Sequence, residues 1–186
     1  GIASYKHRFG ARPDGIWLPE MAVDYQTLDA VAESGLWFVI LSEEQVRGDL
    51  SYGAGPYKVR LSDGHFITVF VRDRGLSNYL SFGMPQADDA RTWMNEALRD
   101  REPGALTLIA TDGETFGHHH HQGVEVLQRL TTPTFQDAYE VTTLSRYLRQ
   151  QPPVAEIEII ENTAWSCSHN LGRWATGCPC TEGCGH

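Results

Sequence analysis

Two acids and four histidines crowd into one short stretch, Thr111-Asp112-Gly113-Glu114-Thr115-Phe116-Gly117-His118-His119-His120-His121. Carboxylates and imidazoles are the side chains that transfer protons near neutral pH and hold divalent metals. Gly113 and Gly117 permit tight backbone geometry between them. A further acid, Glu20, closes the stretch Gly15-Ile16-Trp17-Leu18-Pro19-Glu20. Asp112 and Glu20 are each predicted at the carboxyl end of a short strand, where ligands bind in parallel α/β proteins. Two carboxylates across one cleft have the chemistry for glycosidic bond cleavage. One attacks or stabilises the sugar carbon, and the other protonates the leaving oxygen. Strand-terminal acids also serve as caps and loop anchors, and spacing alone leaves both readings open.

The histidines have three readings: hydrogen bonds to a polar ligand, metal ligation, or a solvated helix start. His118 and His121 lie three apart, a spacing that permits a shared helical face. A second concentration is Cys167, Cys178, Cys180 and Cys184, with His169 and His186 nearby. Cys-x-Cys with further thiols permits zinc, although it is not a paired Cys-x-x-Cys site. Reduced structural cysteines are the leading reading, with metal ligation by Cys167, His169, Cys178 and Cys180 as the weaker one. Arg72 and Asp73 follow another strand and are placed to contact a ligand or to hold a loop by an ion pair.

These groups need elements to position them. Residues 1–9 are expected to end a helix at Gly10, and Asp24 to cap a helix running to Gly35. Leu36–Leu41, Phe66–Val71, Leu106–Ala110 and Val154–Ile160 read as strands, and 15–20 as a very short one. A hairpin through Asp63-Gly64 is expected to enter the strand at 66. Helices are expected over 88–101, then with Val124, Leu127 and Leu130 inward up to Pro133, and over 137–149 with Val141, Leu144 and Leu148 inward. Trp93 is expected in the core. Five strands alternating with helices define an α/β class with a mostly parallel sheet.

The chain has 186 residues, 41% hydrophobic and 21% charged, enough for one substantial core. A formal net charge of −9 argues against binding nucleic acid, which needs a basic patch. No apolar run reaches membrane-spanning length and no signal peptide opens the sequence, so a cytoplasmic protein is expected.

Trp17-Leu18-Pro19-Glu20 and Asp112-Gly113-Glu114-Thr115-Phe116-Gly117 resemble two signature regions of glycoside hydrolase family 57. Arg72-Asp73-Arg74-Gly75-Leu76-Ser77-Asn78 is similar to a further stretch after a barrel strand. Thr163-Ala164-Trp165-Ser166-Cys167-Ser168-His169, with Cys178-Pro179-Cys180, resembles a subgroup of uncharacterised relatives. The resemblance runs through nearly the whole chain, with the motifs in order. It implies a retaining glycoside hydrolase or glucan transferase acting on α-glucan-like polysaccharide. The implied fold is an incomplete (β/α)7 barrel, TIM-barrel-like, with about five of its seven strands present.

By the same resemblance, Glu20 is the expected nucleophile and Asp112 the general acid/base. Trp17, His118, His119, Arg72, Asp73 and Glu114 are the expected substrate contacts, and no cofactor is expected. Residues 1–162 would form the partial catalytic barrel, and 163–186 a Cys-rich segment leading to a following domain. An earlier His-containing strand and a second early signature of the family are missing. The chain is therefore expected to be an N-terminally truncated piece with more protein on both sides, poorly active alone. Histidine at 118 and 119, where an aromatic is usual, leaves the sugar open. The alternatives are a non-catalytic carbohydrate-binding or scaffold relative, and a metal-dependent hydrolase using His118–His121.

Overall fold

A computed structural model describes residues 1–181; Cys184 and His186 lie outside the described residues. The chain divides into two compact units: residues 1–71 with 151 onward, and residues 72–150.

The first unit carries a five-stranded sheet in the order β1 (Gly15–Ile16), β2 (Phe38–Ser42), β5 (Phe66–Arg72), β4 (Tyr57–Arg60), β6 (Ala155–Glu156). β1 runs parallel to β2, and β4 parallel to β6. β4 and β5 form an antiparallel hairpin with Tyr57 opposite Val69, so the sheet is mixed. β5 is central in the sheet, and Ile67, Val69, Phe70 and Val71 are all buried in it. β-Branched and aromatic residues suit such a position because they pack on both faces of the pleat. The expected strand at Leu36 starts only at Phe38, and Trp37 before it is about half exposed.

The expected strand 154–160 is split. β6 joins the main sheet, while β7 (Glu158–Ile159) pairs antiparallel with β3 (Val46–Arg47) in a separate two-stranded sheet. Two helices flank these strands, α1 (Ile2–Phe9) and α2 (Tyr25–Glu33). α1 closes at Gly10 in the left-handed conformation, as expected. α2 starts at Asp24, whose carboxylate accepts the Thr27 N–H at 2.7 Å, and it buries Leu28 and Val31.

The second unit packs α3 (Arg74–Phe82), α4 (Ala90–Leu98) and α5 (Gly123–Thr131) around Leu80, Met84, Ala90, Met94, Val126 and Leu130. Trp93 is half-buried against this core and stacks on Tyr79 at 5.0 Å. α3 is absent from the sequence expectation, although Asp73 caps it by accepting the Leu76 N–H at 2.9 Å. Three further expectations are corrected in this unit. Leu106–Ala110 is extended but forms no strand. Leu108 accepts the Asp73 N–H, but at Asp73 the neighbouring chain turns into α3, so no ladder can continue.

In α5 the inward face is Val126 and Leu130, while Val124 and Leu127 are exposed. The last helix of the unit, α6, spans only Leu144–Gln150 and buries no residue. The chain before it is tied elsewhere: Asp137 accepts the Thr134 N–H and an Asn95 amide hydrogen, and Asn95 accepts the Ala138 N–H. No helix of the described residues is long and apolar enough to cross a membrane.

Candidate active site

Glu20 does not end a strand. β1 stops at Ile16, and Glu20 lies in a single 3-10 turn, Pro19–Met21. Its backbone is left-handed, with φ 57° and ψ 14°, and Met21 follows at φ 48°. A non-glycine residue there brings Cβ against the following carbonyl, so the conformation persists only where surroundings enforce it. Four hydrogen bonds do so. Met21 N–H reaches Leu18 O at 2.8 Å, Ala22 N–H reaches Pro19 O at 3.0 Å, and Trp165 N–H reaches Glu20 O at 3.1 Å. The fourth comes from Gln45, whose side-chain amide donates to Met21 O at 2.7 Å.

Gln45 is fully buried, and each end of its amide is used. Its Nε2 also reaches Thr163 Oγ1 at 3.3 Å, and its Oε1 accepts the Ser42 N–H at 3.1 Å. Thr163 in turn pairs with Val23 in an antiparallel bridge. Residues 20–23 are thus laced to residues 162–165, and this brings Ser166 to the carboxylate. Its hydroxyl donates to Glu20 Oε2 at 2.5 Å. Trp17 and Trp165 meet edge to face beside them, with ring centroids 5.4 Å apart. Glu20 itself is exposed. The result is an accessible, oriented carboxylate next to two aromatic rings, an arrangement suited to an apolar-faced, hydroxyl-bearing ligand such as a sugar. A shallow depression of the same unit, lined by Tyr25, Arg60, Ser62 and Glu156, includes none of these residues.

Asp112 sits in the second unit, exposed, at the entry to the 3-10 turn Gly113–Thr115. The loop after it closes on itself. Glu114 O accepts the N–H groups of His118 and His119, Thr115 O accepts that of His120, and His120 O accepts those of Gly117 and Gly123. Gly117 has φ 115°, and a side chain at Gly123 would press on the Phe116 backbone at 2.7 Å. Gly113 has open space instead. Phe116 is partly buried against the helical core, and His120 Nε2 meets Ser81 O at 2.8 Å.

His118 and His119 are exposed, with rings 5.0 Å apart, and His118 to His121 lie in turns before α5 rather than on a helical face. Among the described residues these histidines form no convergent ligand set. Arg72 is buried and donates to Ala110 O at 3.4 Å, two residues before Asp112. Asp73 caps α3 and pairs with Arg101 at 2.5 Å. Glu114 is exposed.

Cys167, His169, Cys178 and Cys180 do converge, with their ligand atoms within 4.8 Å of one another. The His169 N–H points at Cys167 Sγ from 3.4 Å and holds that thiol down to about 7.

The sheet and its flanking helices place the chain in the α/β class. A model of glycosyl hydrolase family 57 matches residues 1–160, and the chain belongs to that family. Three solved structures share the fold. The 4-alpha-glucanotransferase from Thermococcus litoralis is 21% identical, with TM-score 0.67, over 87% of this chain and 26% of its own. The GH57-type branching enzyme from Pyrococcus horikoshii is 18% identical, with TM-score 0.70, over 94% of this chain and 44% of its own. The alpha-amylase from Thermotoga maritima is 16% identical, with TM-score 0.62, over 92% and 47%. The chain thus spans less than half the length of each. None of the curated proteins matches the chain.

Proposed function

We propose that this chain contributes the catalytic residues of a retaining glycoside hydrolase or glucan transferase acting on α-glucan-like polysaccharide. Glu20 is the nucleophile and Asp112 the general acid/base. The observation that carries this reading is the setting of Glu20: a solvent-facing carboxylate on enforced left-handed backbone, fixed by Ser166 and flanked by Trp17 and Trp165. Family membership and the activities of the solved relatives support it. On this reading the mixed sheet and its helices are part of a (β/α)7 barrel comprising residues 1–162.

In the first step a Glu20 oxygen bonds to the anomeric carbon, the bond from that carbon to the glycosidic oxygen breaks, and Asp112 gives that oxygen its proton. Asp112 then takes a proton from water or from an acceptor hydroxyl, whose oxygen displaces Glu20 with a second inversion. Trp17 offers a face for the sugar ring, and His118, His119 and Glu114 offer exposed polar groups for its hydroxyls. Arg72 and Asp73 hold the segment leading to Asp112, through Ala110 O and Leu108 O.

The test is hydrolysis of an activated aryl α-glucoside by the full-length protein that contains this chain. Glu20→Gln should fall below about 10⁻³ of wild-type turnover. Asp112→Asn should lose at least about 100-fold. Azide should restore glycosyl-azide formation to Glu20→Gly. Wild-type turnover in Glu20→Gln would defeat the assignment, and sugar binding without any turnover by the wild type would favour a carbohydrate-binding relative.

A further inference from the structure

We infer that Cys167, His169, Cys178 and Cys180 form a structural zinc site of the Cys₃His type. Tetrahedral zinc with Zn–S near 2.3 Å and Zn–N near 2.0–2.1 Å requires S···S edges of about 3.8 Å and S···N edges of about 3.5 Å. The edges here are 3.6 Å from Cys167 Sγ to Cys178 Sγ, 3.7 Å from Cys167 Sγ to His169 Nδ1, and 3.3 Å from Cys180 Sγ to His169 Nδ1. A disulfide would place two sulfurs at about 2.05 Å. These three edges match those of a metal tetrahedron, all four donor atoms lie within 4.8 Å of one another, and it is their number that sets this cluster apart from ordinary neighbouring thiols.

The sequence builds the site from two short pairs, Cys-x-His at 167–169 and Cys-x-Cys at 178–180. Residues between them fold the second pair back onto the first. Asn170 turns at φ 54°, one helical turn (Gly172–Ala175, α7) follows, and Gly177 turns again at φ 80°. Asn170 N–H closes onto Cys167 O at 2.9 Å, and Gly172 N–H onto His169 O at 3.1 Å. The His169 N–H directed at Cys167 Sγ supplies the outer hydrogen bond that commonly orients a thiolate ligand. Three thiolates and an imidazole select zinc among available divalent ions, and four protein donors leave no open position for water. The site is therefore structural. Its first ligand directly follows Trp165 and Ser166, the two residues that hold Glu20.

The purified protein should contain one zinc per chain by elemental analysis. After removal of zinc, added cobalt(II) should give the intense visible bands of a tetrahedral site with a thiolate charge-transfer band. This measurement needs no variant. Cys178→Ser and His169→Ala should hold less than about 0.1 equivalent after dialysis, whereas His169→Cys, which restores a fourth ligand, should hold close to one. Chelation should lower the thermal midpoint, and zinc should restore it. Octahedral cobalt spectra, zinc content unchanged in Cys178→Ser, or a Cys167–Cys178 disulfide in the purified protein would each overturn the site. Because these readouts do not use turnover, they stand or fall separately from the catalytic reading.

Discussion

Glu20 and Met21 both adopt left-handed backbone, and the free energy for this comes from partners far away in sequence. The conformation costs a residue with a Cβ roughly 1–2 kcal/mol, and glycine escapes it. Glu20→Gly should therefore be more stable than Glu20→Ala by about 1 kcal/mol in urea unfolding, the reverse of the order on a helix. Equal stabilities would show that the backbone at 20 carries no strain. Glu20 stood out as a candidate because Trp-Leu-Pro-Glu is a local pattern. Its conformation was not, since Gln45 lies 24 positions from Met21 and Ser166 lies 146 from Glu20. No window of residues carries such a signal. Gln45 offered only one, a capping-box glutamine after Ser42, and that predicts a turn rather than a buried brace.

At the scale of elements, α2 shows how a charge at a helix start enters stability. Hydrogen bonds from Thr27, side chain first and backbone second, hold the Asp24 carboxyl below its ordinary range. A group whose folded value is depressed stabilises the fold above its unfolded value, near pH 4, and loses that contribution as pH falls through the folded value. Asp24→Ala should cost about 1 kcal/mol at pH 6, and the gap from wild type should narrow steadily below about pH 4. A gap independent of pH would mean that the cap acts without its charge. α2, with its Asp24 cap, and α4, with its apolar stripe, were readable. α3 was not, since Gly75, Ser77 and Asn78 dilute its pattern, although Asp73 stands at its start. Leu106–Ala110 misleads in the opposite direction. An apolar run reads as a strand whether or not a neighbour is available to pair with it, and its neighbour becomes a helix after one hydrogen bond.

At the scale of the whole molecule, the first unit is assembled from both sides of the second in sequence. β4 needs β6, β3 needs β7, Val23 needs Thr163, and Glu20 needs Trp165 and Ser166. A chain ending at Gln150 should keep hydrogen-exchange protection in α4 and α5 while losing it in β4 and around residues 20–23. Undiminished protection there would show that residues 1–71 are sufficient by themselves. The α/β class was legible from alternating strand and helix signals, but this discontinuity was not: no composition change marks residue 71, and Pro152-Pro153 marks a break without showing that the chain returns to an earlier sheet. The discontinuity also sets a schedule for synthesis. Translation proceeds at roughly 5–20 residues per second, so the interval between residue 71 and residue 166 is roughly 5–20 s. For most of that time the half-made sheet has no β6, and its apolar strands are open to other chains. Glu20 thus leaves the ribosome some 146 residues before Ser166, the partner that sets its carboxylate in place. Any cell making this chain would need its early strands shielded for that interval, a demand imposed by the order of the sequence alone.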